Sequence, residues 1–202
     1  MISAPALIEA LAGEGWYVQR DAWTAQDCAA LLAELREHDA AGRLQPAGTG
    51  RGAGRAVRAD LRGDRILWLD THDGGPATRG FLAGMQALGR EINAALHLGI
   101  AEYEAHFAVY PPGGRYVRHL DRHRDSDARL VSTVLYLNPE WDESAGGTLH
   151  LWTTQAHSVE VVPRAGTLVT FLSASIAHEV QAATRERFSI AGWFRRRAAL
   201  PF

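Results

Sequence analysis

The sequence contains no lysine: all 21 of its basic residues are arginine. Chemistry that runs through a lysine amine is therefore excluded, including Schiff-base and pyridoxal catalysis and the lysine of a phosphate-binding P-loop. A single cysteine, Cys28, rules out an intramolecular disulfide, a cysteine-rich zinc site and an iron–sulfur cluster, and it suits a reducing compartment. No run of 18 apolar residues occurs, so no membrane-spanning helix is expected. Met1 to Ala12 lacks the basic start and long apolar stretch of a signal peptide, which makes the cytoplasm the expected location. Charge of one sign is also missing. With 21 basic and 23 acidic residues the net is −2, so neither nucleic acid nor a membrane surface is an expected partner.

What remains is ordinary globular material. A chain of 202 residues, 47% of them apolar, has enough to bury a full core, roughly 70% of its unfolded surface, and one domain over 1–202 is expected. The pattern changes near residue 100. Residues 1–100 read as a helical buttress with short strands. Gly15–Val18 is a short strand, and Thr24 with Asp27 opens a helix running to about Asp39. Ile66–Leu69 is a second strand, and Ala77–Leu98 a long helix with Phe81, Leu82, Met85, Leu88, Ile92 and Leu96 on one stripe. Between them, 43–58 is expected to be a mobile loop.

Residues 101–197 read as strands separated by turn signals: Glu102–Tyr110, Tyr116–His119, Leu130–Asn138, Thr148–Thr153, Ser158–Val162, Thr167–Leu172, His178–Gln181 and Arg187–Arg195. Eight short strands at this spacing predict a double-sheet jelly roll. The fold class is mainly β with N-terminal helices (α+β), the helices packed on one sheet.

Two features that invite an anion-binding reading do not support one. The loop with Gly48, Gly50, Gly52 and Gly54 follows a helix, not a strand, and no βαβ unit surrounds it. Arg195-Arg196-Arg197 reads as a short solvated tail.

The histidines carry more information. His119 and Asp121 stand two apart at the end of a short strand, where alternate side chains share a face. A distant His178 on a neighbouring strand would complete a two-histidine, one-carboxylate triad with open positions, the arrangement that suits non-haem Fe(II). Arg187 opens an otherwise apolar strand and, if buried, needs a partner; a ligand carboxylate held by two parallel hydrogen bonds is the natural one. His178 as a core histidine and Arg187 paired with Glu186 or Asp121 are the competing structural readings.

Tyr110–Asp121, Tyr136–Asp142, Gly146–Leu149, His178–Gln181 and, in the first half, Leu61–Trp68 together resemble the 2-oxoglutarate/Fe(II)-dependent dioxygenases. Specifically, they resemble the prolyl 4-hydroxylase branch, which includes the hypoxia-inducible-factor prolyl hydroxylases and their bacterial relatives. The likeness covers roughly residues 16–195 and implies a double-stranded β-helix holding Fe(II) through His119, Asp121 and His178. It implies 2-oxoglutarate held by Arg187 with Tyr136, in a pocket lined by Tyr110, Leu149 and Val180. Arg62, Asp64, Arg129 and Trp193 would lie toward substrate. The implied activity is hydroxylation of a prolyl residue in an exposed loop of a cytosolic protein, giving hydroxyproline, succinate and CO2. Ascorbate is a candidate reductant and a translation elongation factor a candidate partner. Ala191 departs from relatives that carry a polar residue near the iron-bound water, and the short tail ending at Phe202 implies that a C-terminal substrate-embracing helix is lacking. The alternatives are the same chemistry on a small molecule such as a free amino acid, and a non-catalytic ligand-binding module.

Overall fold

The computed structural model describes residues 2–48, 57–58, 60–72, 74–122, 128–154 and 157–197. Its elements run α1 (Ala4–Gly13), β1 (Trp16–Gln19), α2 (Ala25–Ala40), β2 (Gln45–Pro46), β3 (Arg65–Trp68), α3 (Pro76–Leu96), β4 (Glu102–Tyr110), β5 (Tyr116–His119), β6 (Arg129–Tyr136), β7 (Leu149–Trp152), β8 (Ser158–Val161), β9 (Leu168–Leu172), β10 (Ala177–Val180) and β11 (Arg187–Arg195). Two antiparallel sheets result, ordered β1-β9-β6-β11-β4-β3-β2 and β5-β10-β7-β8. This is the jelly roll. Besides the helices, the first hundred residues contribute β1, β2 and β3 to the larger sheet. No helix among the described residues is long and apolar enough to cross a membrane.

Period-two alternation decides what each face of the larger sheet does. Along β4 and β11, Phe107, Val109, Phe188, Ile190 and Phe194 pack on Leu31, Leu35, Phe81, Met85 and Ile92 of the helices. The intervening His106, Ala108, Tyr110, Arg187, Ser189, Ala191 and Trp193 face the space between the sheets. The helices thus complete the core on one side and leave the other free for a site.

Local chemistry fixes the helices. The Thr24 hydroxyl accepts the Asp27 N–H at 3.1 Å and starts α2. Pro76 sits in the first turn of α3, and a side chain from α2 caps that helix. The Glu34 carboxylate accepts from the N–H groups of Ala77 and Thr78 and from the Thr78 hydroxyl.

Two differences from the sequence reading stand out, and one expectation falls outside the described residues. α1 was not expected; its only deeply buried side chains are Ala4, Leu7 and Leu11, and Ser3 offers no side-chain cap, so its local signal is weak. The start of the expected 43–58 loop is pinned: Gln45 and Pro46 pair with Ile66 and Arg65, and Leu44 and Ala47 are buried. Residues 49–56, with Gly50, Gly52 and Gly54 of the expected mobile loop, lie outside the described residues.

Candidate active site

β5 and β10 are antiparallel neighbours in the smaller sheet, and their register sets His119 directly opposite His178. Asp121 follows just beyond the end of β5. Its two oxygens lie 3.7 Å from His119 Nε2 and 3.6 Å from His178 Nε2. The three donor atoms fall within 4.8 Å of one another, and this is the one such cluster of metal-ligating groups among the described residues. Each imidazole is oriented by its other nitrogen: His119 Nδ1 bonds Val117 O at 2.8 Å, and His178 Nδ1 bonds Ile176 O at 3.3 Å. A backbone carbonyl can only accept, so both Nδ1 atoms carry the proton and both Nε2 atoms present lone pairs.

The charge states agree with that. Burial, with His119 nearby, lowers His178 to about 4, so the ring is neutral at pH 7. Burial alone would raise Asp121, but His178, His119 and Arg129 hold its carboxyl well below the usual carboxylate range. The Ser132 hydroxyl donates to Asp121 Oδ2 at 2.7 Å and is itself bonded to Ser173. Two imidazole nitrogens and one ionised carboxylate converge, the donor set that suits a divalent first-row metal.

The same pocket is also lined by Arg187, 1% exposed. Its Nε donates to Gly147 O at 3.0 Å, and Nη2 has no hydrogen-bond partner. No ion pair joins it to Glu186, Asp121 or any other described residue. Gly147 is left-handed (φ 72°), and a Cβ there would meet Ala183, Trp141 and the Arg187 stem at 3.0–3.4 Å, so only glycine lets the chain pass this close. Tyr110 and Tyr136 flank the guanidinium, their ring centres 5.2 and 4.9 Å from its carbon. Burial raises both phenols, which stay protonated, and the Tyr136 hydroxyl has no partner. A buried cation and a buried phenol left open are costly unless something anionic fills the gap.

Leu149, Val180 and Trp193 line the pocket; Tyr136 is not in its lining but lies against Arg187, and Arg129 stands outside it, stacked 3.6 Å over the Trp193 ring and paired with Glu104. Arg62 and Asp64 line it too, but are bonded to each other at 2.7 and 2.9 Å. Arg185, two residues before Arg187, is exposed and packs on Trp141. Three pocket or supporting residues were not singled out from sequence. Ser132 supports Asp121, Tyr116 stacks on His119, and His106 sits between Trp68 and Trp193 with ring centres at 5.1 and 5.4 Å. For His106 a signal existed: it shares strand parity with Ala108 and Tyr110.

A model described as the 2OG-Fe(II) oxygenase superfamily matches residues 105–195. The crystal structure of a Pseudomonas putida prolyl-4-hydroxylase is 45% identical, with a TM-score of 0.88 and coverage of 96% of this chain and 100% of that one. The chain belongs to the 2OG-Fe(II) oxygenase superfamily. Members of this superfamily use Fe(II) and 2-oxoglutarate, and the oxygenase carries a donor set and an open guanidinium that fit both. Similar curated proteins are the hypoxia-inducible factor prolyl hydroxylase of Caenorhabditis elegans (33% identical over 144 residues) and human Egl nine homolog 1 (34% over 142 residues). Each match covers 67% of this oxygenase but only 20% and 33% of the relative, so the chain spans a fifth to a third of their length. A Trichoplax adhaerens prolyl hydroxylase, solved with a hypoxia-inducible factor peptide, is 25% identical with a TM-score of 0.85, covering 95% of this oxygenase and 88% of that chain.

Proposed function

We propose that this chain is a 2-oxoglutarate- and O2-dependent hydroxylase of a prolyl residue in a protein loop. The observation that carries the reading is one pocket lined by two sets of groups: His119, Asp121 and His178, and the buried Arg187 guanidinium, whose Nη2 has no hydrogen-bond partner. His119, Asp121 and His178 would hold Fe(II). Arg187 would bind the distal carboxylate of 2-oxoglutarate with the Tyr136 hydroxyl, and Tyr110, Leu149 and Val180 would wall it. Iron and 2-oxoglutarate together supply oxidative hydroxylation of an unactivated C–H, yielding succinate and CO2 with the hydroxylated product.

The protein's part is orientation and exclusion of water. Beyond Ala191, the wall becomes aromatic: Trp193 is buried, and Trp68, nearly half exposed at 47%, packs against it with ring centres 6.1 Å apart. A proline ring is apolar and pre-bent and carries no N–H, so it leaves no donor stranded against these indoles. Arg129, which covers Trp193, is the proposed contact for the flanking peptide; Arg62 and Asp64 are taken up below.

The reading takes residues 1–202 as one domain, 1–100 buttressing a catalytic 101–197, acting in the cytoplasm. The test is succinate formation with Fe(II), 2-oxoglutarate and ascorbate present. Proline-containing loop peptides, one from a translation elongation factor, are compared with free L-proline and free lysine. Turnover with a peptide supports the proposal; turnover with a free amino acid and no peptide would assign the enzyme to small molecules.

A further inference from the structure

Arg62 and Asp64 bear on the metal site by a route that the sequence does not reveal. The segment 61–63 lies along β5, the edge strand of the smaller sheet and the strand that ends in His119. Arg62 bridges Tyr116, Gly63 N–H bonds Arg115 O at 2.9 Å, and Val117 N–H bonds Leu61 O at 3.0 Å. The carbonyl of Val117 is the group that orients His119 through Nδ1.

The side chains repeat the connection. The Asp64 side chain is fully buried, and both of its oxygens accept from Arg62, fixing the plane of the guanidinium. That guanidinium lies over the Tyr116 ring, its carbon 4.9 Å from the ring centre. Tyr116 in turn lies nearly flat on His119, with ring centres 3.6 Å apart and planes 18° apart. A planar cation on a phenol and a phenol on an imidazole each restrict rotation of the next group. With both carboxylate oxygens engaged, Asp64 has little left to offer a peptide.

We infer that Asp64, Arg62 and Tyr116 are positioning residues, a stack that fixes the His119 imidazole for metal binding. The inference rests on the reading of His119 as a metal ligand.

The test is titration of the metal-free protein with Mn(II) alone, followed by the EPR signal of the free ion. Partners that orient a metal-bound histidine typically contribute ten- to a hundredfold in affinity, so Tyr116→Leu and Arg62→Ala are expected to raise the Mn(II) Kd about tenfold. Tyr116→Phe keeps the stacked ring and restores the wild-type Kd. Leu35→Ala, which loosens the helix-side core far from the site, lowers the melting temperature without moving the Kd. Should Tyr116→Leu fail to fold, the isosteric Asp64→Asn carries the same test with a smaller rise. Wild-type Kd values in the stack variants, alongside weakened binding in His119→Ala, would overturn the stack and leave the ligand reading intact. A wild-type Kd in His119→Ala would overturn the ligand reading itself, and the stack with it.

Discussion

His119 and His178 are directly opposed residues of two paired strands, with ring centres 4.2 Å apart, and Asp121 closes the gap between their Nε2 atoms. A cross-strand pair of this kind is held in place by the sheet itself, so His119, Asp121 and His178 can be replaced one at a time without dissolving the fold. His178→Ala is expected to retain the wild-type circular dichroism spectrum while losing Mn(II) binding and 2-oxoglutarate turnover. Full turnover in both His178→Ala and His119→Ala would disprove the triad.

Arg187 and Arg185 form a natural control pair. The first is buried with an open Nη2, the second exposed on a turn. A charge-assisted hydrogen bond contributes about 1.5–3 kcal/mol, so Arg187→Ala should raise the KM for 2-oxoglutarate by about tenfold or more. Arg185→Ala should leave it nearly unchanged. Steady-state assays with varied 2-oxoglutarate check this, and a larger effect at Arg185 would mean that the assigned register is wrong.

His106 makes the fold sensitive to acid. Burial, reinforced by Arg62, depresses its folded-state value to about 4, against 6.5 for the unperturbed ring. Above pH 6.5 both folded and unfolded states hold the neutral ring, and nothing is lost. As pH falls from 6.5 toward 4 the unfolded chain takes up a proton that the folded protein refuses, so stability falls. The loss from this residue between pH 7 and pH 5 is about 2 kcal/mol. His178 titrates in the same direction, so the comparison must be with a variant. Urea unfolding of metal-free wild type and His106→Gln at the two pH values should show the smaller loss in the variant; equal losses would count against a neutral buried His106.

A side chain, as well as apolar area, ties the helix layer together. Glu34 on α2 caps the start of α3 with three accepted hydrogen bonds. Glu34→Ala should destabilise the protein by about 1–2 kcal/mol, read from the urea midpoint, without changing Mn(II) affinity. An unchanged midpoint would mean that water caps α3 equally well.

Legibility from sequence followed the range of the signal. His119 ends β5 and Asp121 follows two residues later, just beyond it; β4, β5 and β11 were bounded correctly, because period two is a local property. Arg187 announced itself as the charge that opens the apolar stretch 188–194. α1 escaped because ten residues with a narrow stripe and no side-chain cap carry little local information. The pairing of Gln45 with Ile66, the bond between Arg62 and Asp64, and the stacking of Tyr116 on His119 are tertiary facts. The Arg62-Gly63-Asp64 segment was legible as a motif, but its composition could not show that the two charges neutralise each other.

The central claim is that one pocket couples 2-oxoglutarate breakdown at His119, Asp121 and His178 to oxygen insertion into a prolyl residue. The direct measurement is the ratio of succinate formed to hydroxyproline formed, by mass spectrometry, for wild type and His178→Ala with a loop peptide that the wild type accepts. The account predicts equal amounts of the two products from wild type, with one oxygen atom gained at the proline, and neither product from His178→Ala. Succinate without hydroxyproline from wild type, or hydroxyproline from His178→Ala, would contradict it.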